Sequence, residues 1–184
     1  MHVRPDRSVA APGRPAPCAS APESDAAALG PIAALGVGQI ILTNAARVER
    51  NYFDAHVLAP DRYRPLLVEG LQQARDTRLP TVSIHRQFKV LVEDALDRLF
   101  GRGLRIAADE ASARAVSAVV QESVEERILL AVGPEGGWND FEIDLLETHG
   151  FRIAAMGPRT LRTDTACVAL LALVHDSMRS RPRD

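Results

Sequence analysis

The sequence predicts a single α/β domain with a mostly parallel sheet and helices on both faces. Three observations lead there. From Ala33 onward, short apolar runs with strand character alternate with helix-length amphipathic segments. Glycine and proline punctuate that alternation at Pro80, Gly101, Gly103 and Gly150, where strands and helices must meet. The chain has 184 residues and a hydrophobic fraction of 46%, enough for one core and at most a small appendage.

Residues 1–28 are mostly Ala, Pro, Ser and Arg, with almost no large apolar side chains to offset the entropy of ordering. They are expected to form a disordered arm ahead of a domain spanning 29–184. No uninterrupted apolar core follows the early basic residues, so the arm does not read as a secretory signal. Residues 38–43 (Gly-Gln-Ile-Ile-Leu-Thr) read as a buried strand. Residues 63–76 read as a helix with Leu66, Leu67, Gly70, Leu71 and Ala74 on one face and Pro65 in its first turn. Residues 81–84 form a short strand. Residues 90–100 form an amphipathic helix with Leu91, Ala95, Leu96 and Leu99 inward, ended by Gly101 and Gly103.

Residues 104–108 are another strand, 112–119 a weak helix or loop, and 127–132 a strand leading into a glycine-bearing turn. The next helix has a clear start. Asn139 can cap it, Glu142 can complete a capping box, and Trp138 and Ile143 sit where a hydrophobic staple would pack. Gly150 ends that helix, residues 151–155 are a strand, and 163–177 a last helix. Its stretch from Ala166 to Val174 is apolar all round, which suggests burial between the sheet and a second subunit. That stretch is too short to span a bilayer.

The formal charge of −2 argues weakly against an RNA partner, since phosphate neutralisation usually demands a basic face. Arginines nevertheless recur at Arg47, Arg50, Arg75, Arg78, Arg159 and Arg162, with a basic end of Arg179, Arg181 and Arg183. Cys18 and Cys167 provide neither a disulfide framework nor metal-ligand spacing, and a reducing cytoplasm fits best. His85, His149 and His175 are scattered without ligand spacing.

Function is most legible between residues 129 and 166. Two glycine-bearing turns, Gly133-Pro134-Glu135-Gly136-Gly137-Trp138 and Met156-Gly157-Pro158-Arg159-Thr160-Leu161-Arg162-Thr163-Asp164-Thr165, each follow a strand-like run and are separated by one helix. Both therefore fall where the carboxyl ends of neighbouring parallel strands expose main chain to a ligand. The first turn lacks the Lys-Ser/Thr of a P-loop and the Gly-x-Gly-x-x-Gly of a dinucleotide site, so its ligand reads as uncharged or cationic; a plain tight turn is the alternative. In the second, Arg159 and Arg162 beside a helix N-terminus offer donors for phosphate or uracil oxygens.

These two turns, in this order and spacing, resemble the knot region of the SPOUT methyltransferases. Within that group they look most like the RsmE-type family, which methylates N3 of a uridine in 16S ribosomal RNA. Residues 33–37 and Arg47-Val48-Glu49 are similar to that family's opening segment and basic turn, and Gln73, Arg78 and Pro80 match a helix end of the family. The resemblance implies a deep trefoil knot near the C-terminus, a homodimer, 16S rRNA or the small ribosomal subunit as partner, and neither DNA nor a membrane.

It further implies that S-adenosylmethionine is held, without a metal, by Val132, Gly133, Pro134, Glu135, Gly136, Gly137, Met156, Gly157, Arg159, Thr160, Leu161 and Thr165. Arg162 and Arg159 would supply electrostatic stabilisation to the reacting uracil, and Glu135 or Glu110 would accept its proton. The family places a small RNA-binding barrel, similar to a PUA domain, ahead of this region; residues 1–32 are too few to build one. Two further departures are Ala108-Asp109-Glu110 after a strand, where the family often has His-Pro or a carboxylate, and Asp76 where it usually has Arg. A truncated non-catalytic dimer, or a SPOUT enzyme acting on another RNA such as tRNA, are the competing readings.

Overall fold

The computed structural model describes residues 16–19, 24–47 and 58–181. A six-stranded sheet runs in the order β3-β2-β1-β5-β4-β6, and all of its pairings are parallel. Its strands are β1 (Ala16–Ala19), β2 (Gln39–Thr43), β3 (Thr81–His85), β4 (Leu104–Ala108), β5 (Ile128–Val132) and β6 (Phe151–Ala154). The helices are α1 (Ser24–Ala34), α2 (Pro60–Ala74), α3 (Phe88–Val90), α4 (Leu96–Phe100), α5 (Val116–Gln121), α6 (Asp140–Thr148) and α7 (Thr163–Arg179), with a π-helical turn, Leu91–Ala95, between α3 and α4.

β5 shows why both faces must be covered. All of its residues are buried, and successive strand side chains point to opposite faces, so helices pack on each side as expected. α7 lays Cys167, Leu170, Leu171 and Val174 against this core. On its other side, among the described residues, Leu173 is 36% exposed. Among the described residues no helix is long and apolar enough to cross a membrane.

Three expectations need correction. The segment read as a disordered arm contributes β1, which pairs with β2 on one side and β5 on the other, and the start of α1. Its order comes from partners rather than composition: β1 completes two backbone ladders, and α1 buries Leu29, Ile32 and Ala33. α1 crosses α2 so closely that a Cβ on Gly70 would collide with the Gly30 carbonyl oxygen. The rest of the arm, residues 1–15 and 20–23, lies outside the described residues, as do Val48, Glu49, Arg50 and Arg183.

Second, α2 begins at Pro60 rather than Tyr63, with a proline taking the start of the helix where no backbone donor is needed. Pro65 consequently sits beyond the first turn, not within it. Third, the helix expected over 90–100 begins at Phe88 and is interrupted by the π turn, which brings Val92 into the core beside Leu91 and Ala95 while Leu99 stays half-buried.

Candidate functional site

In the sheet, β4 lies between β5 and β6, so the loops leaving the carboxyl ends of these strands run side by side. The loop after β4 is stitched to the end of β6. Asp109 N–H donates to Ala154 O, the Ser112 hydroxyl to Ile153 O, Ala155 N–H to Arg114 O, and Val116 N–H to Ala155 O, at 2.8–3.0 Å. Among the three loops is a cavity of about 720 Å³, a size that suits a nucleoside-bearing ligand.

The first turn is built as a braced seat. Gly137 takes φ +68°, a left-handed conformation that glycine adopts without strain, and its N–H closes the turn onto Pro134 O at 2.8 Å. Trp138 is buried; its indole N–H donates to Ala108 O at 3.0 Å, and its ring packs against Phe88 with centroids 5.4 Å apart. A Cβ at Gly133 would lie 3.0 Å from that indole, so the ring roofs the first glycine. The expected capping box is present: Asn139 Oδ1 accepts Glu142 N–H at 2.8 Å, and Glu142 Oε2 accepts Asn139 N–H at 3.0 Å. Trp138 also ties the turn to β4.

The second turn meets the first through side chains. The Thr163 hydroxyl donates to Gly133 O at 3.3 Å, and Arg162 reaches Glu135 at 3.9 Å and Asp164 at 3.2 Å. Thr160 donates its hydroxyl to Glu110 Oε2 at 2.6 Å, linking the loop after β6 to the loop after β4.

Of the residues expected at the cofactor, Val132 to Gly137, Met156, Gly157, Arg159, Thr160 and Leu161 all line the cavity, and so does Glu110. Arg162 and Thr165 do not. Arg162 is 64% exposed at the rim, and Thr165 turns its N–H and hydroxyl back to Asp164 Oδ1. The lining also includes Arg47, Asp109, Ser112, Trp138, Asp140, Ile143, Glu147, Ala166 and Leu170, which sequence reasoning did not place there. For Asp140, Ile143 and Glu147 a signal existed, because their spacing puts them on one face of α6. Arg47 arrives from a loop remote in sequence. Five acidic residues, Asp109, Glu110, Glu135, Asp140 and Glu147, and two basic ones, Arg47 and Arg159, line this space. Such a balance suits a cation better than a phosphate. Among the described residues no group of three His, Cys, Asp or Glu side chains could hold a metal ion.

Fold and cavity together define a cofactor-sized binding site at the strand ends of a parallel α/β domain. The chain belongs to the RNA methyltransferase domain family, whose profile matches residues 20–175. A ribosomal RNA small subunit methyltransferase E from Treponema pallidum is 30% identical over 159 residues, covering 83% of this chain and 59% of that protein. One from Mycobacterium bovis is 28% identical over 141 residues, 76% of this chain and 53% of its own length. The chain thus spans little more than half the length of these relatives. Among solved structures, a ribosomal RNA small subunit methyltransferase E from Neisseria gonorrhoeae bound to S-adenosyl methionine superposes with a TM-score of 0.76 at 22% identity, covering 93% of this chain and 69% of that one. The SpoU methyltransferase AviRb from Streptomyces viridochromogenes, in complex with AdoMet, gives 0.60 at 14% identity, covering 96% and 62%. The fold is that of the SPOUT methyltransferases, as the two turns implied.

Proposed function

We propose that this domain binds S-adenosylmethionine in the cavity between its two glycine-bearing turns and methylates N3 of a uridine in 16S ribosomal RNA. One observation carries the reading: both turns border a single cavity lined by main chain and carboxylates. Turn carbonyls and N–H groups suit adenine and ribose, and the surrounding carboxylates favour a sulfonium. When bound, that group supplies an electrophilic methyl carbon. The uracil N3 forms the new bond to it, the carbon–sulfur bond breaks with its electron pair staying on sulfur, and the N3 proton must go to an acceptor.

Glu135 is the acceptor best placed, lining the cavity within 3.9 Å of Arg162. Arg162, at the exposed rim, stabilises charge spreading over the uracil oxygens. Glu110, held by the Thr160 hydroxyl, is the second carboxylate within reach. Arg159 assists from the cavity lining, and Thr165 steadies the start of α7. The target base must stand out of any stacked helix to enter.

In this reading the chain after β6 threads the loop stitched to its end, forming a trefoil knot. Two copies then pair through the face of α7 that carries the exposed Leu173. The test is mass spectrometry of 16S rRNA nucleosides from a strain lacking the gene. Loss of one 3-methyluridine, restored by the gene, is expected. Unchanged methyluridine together with retained cofactor binding would instead identify a non-catalytic dimer, and a lesion in tRNA another RNA target.

A further inference from the structure

Arg47 leaves β2 on the far side of β1 from the cofactor turn, yet it ends on that turn. Its guanidinium Nη1 donates to the Gly136 carbonyl oxygen, a bond spanning 89 positions of sequence. Its stem lies against the same residue, for a Cβ on Gly136 would meet Arg47 Cδ at 3.2 Å and Cβ at 3.4 Å. Arg47 also lines the cavity. The preceding residue is anchored independently: Ala46 N–H donates to Glu142 Oε1 at 2.7 Å, while the other oxygen of that carboxylate caps α6 through Asn139 N–H at 3.0 Å. Glu142 is buried, 3% exposed, so its two bonds are made away from competing water.

We infer that Arg47 is a positioning residue for the cofactor turn. It fixes the Gly136 carbonyl from the cavity wall, on a loop that Glu142 holds in register with the start of α6. The capping box therefore has a second task, because one buried carboxylate sets both the helix that follows the turn and the loop that clamps it. A carbonyl so held keeps one orientation, which preserves the shape of the turn. The inference rests on the proposed cofactor reading, and the experiment separates the two.

S-adenosylmethionine binding is measured by calorimetry for the full chain and for Arg47→Met, Arg47→Lys, Glu142→Gln and the Arg47→Met/Glu142→Gln double variant, alongside thermal melting and methyl-transfer kinetics. Methionine keeps the apolar stem but no donor, whereas lysine can donate to a single carbonyl. Arg47→Met is expected to weaken binding about tenfold and raise KM for the methyl donor alike, with kcat within about twofold and the melting temperature little changed, since Arg47 is exposed. Arg47→Lys should recover to within about threefold. The double variant should lose less than the product of the single losses, because both break one device. Wild-type affinity in Arg47→Met, equal losses in the lysine and methionine variants, independent losses in the double variant, or a fall in kcat at unchanged KM would each overturn the inference while leaving the cofactor reading intact. A folded wild-type chain that binds no S-adenosylmethionine would overturn both.

Discussion

The two glycine-bearing turns share one cavity but are built in opposite ways. The first is held from all sides: by the Trp138 indole on Ala108, the Asn139–Glu142 capping box, the Gly137 turn bond and the Arg47 clamp on Gly136. Of these braces, Trp138 and Glu142 are buried. The second has few ties of its own and presents exposed side chains, with Arg162 64% exposed and Thr160 bonded across to Glu110. A braced main-chain seat lies opposite a rim of exposed side chains. In the proposed function, the first turn shapes the pocket for the donor and the second meets the acceptor.

Substitutions can break that division. The largest effect is expected from Trp138→Ala, which removes a buried aromatic and its hydrogen bond and should cost about 3–5 kcal/mol of stability in urea unfolding. Because the ring roofs Gly133, any protein that still folds should also lose cofactor affinity. Arg162→Ala should do the reverse: methyl transfer falls by about a hundredfold or more, while S-adenosylmethionine affinity measured by titration stays within a few-fold. Comparable losses of both would show that the second turn, too, is part of the seat. Thr160→Val removes one exposed hydroxyl bond to Glu110 and should cost no more than about 1 kcal/mol in either measurement.

The smallest effect lies away from both turns and serves as a control. Burial, assisted by nearby Arg98, lowers the pKa of His85 below its ordinary 6.5. The folded chain thus resists a proton that the unfolded chain accepts. His85 contributes no pH dependence above that value, and stability falls as pH drops below 6.5 toward the folded pKa. Proton NMR should show the imidazole titrating below its ordinary value, with no change when S-adenosylmethionine is added.

Much of this contrast is legible in the sequence because the turns carry their own signals. Gly-Pro-Glu-Gly-Gly before Asn139 and Glu142 declares a strand end and a helix start, and Met156 to Thr165 does the same, so half of the cavity lining was foreseen. Alternation of apolar runs after Ala33 located β2 to β6 for the same reason, each strand being long and apolar enough to register alone. β1 and the first turns of α1 had no such pattern. Ala16–Ala19 owes its conformation to ladders with β2 and β5, which are distant in sequence. The Ala46 and Arg47 contacts were hidden likewise, since Glu142 is 96 positions from Ala46 and reads locally as a helix cap and nothing more. What the sequence conceals here is long-range pairing of short segments, for which no periodicity exists.

The central claim is that the seat formed by the first turn holds S-adenosylmethionine. Calorimetric titration of the folded protein tests it most directly, with Gly133→Val as the companion, since a branched side chain there must collide with the Trp138 ring. Saturable binding at one site per chain, lost in the valine variant while the melting transition is retained, is the predicted result. A wild-type protein that melts cooperatively yet yields no binding heat at any temperature tried would contradict it.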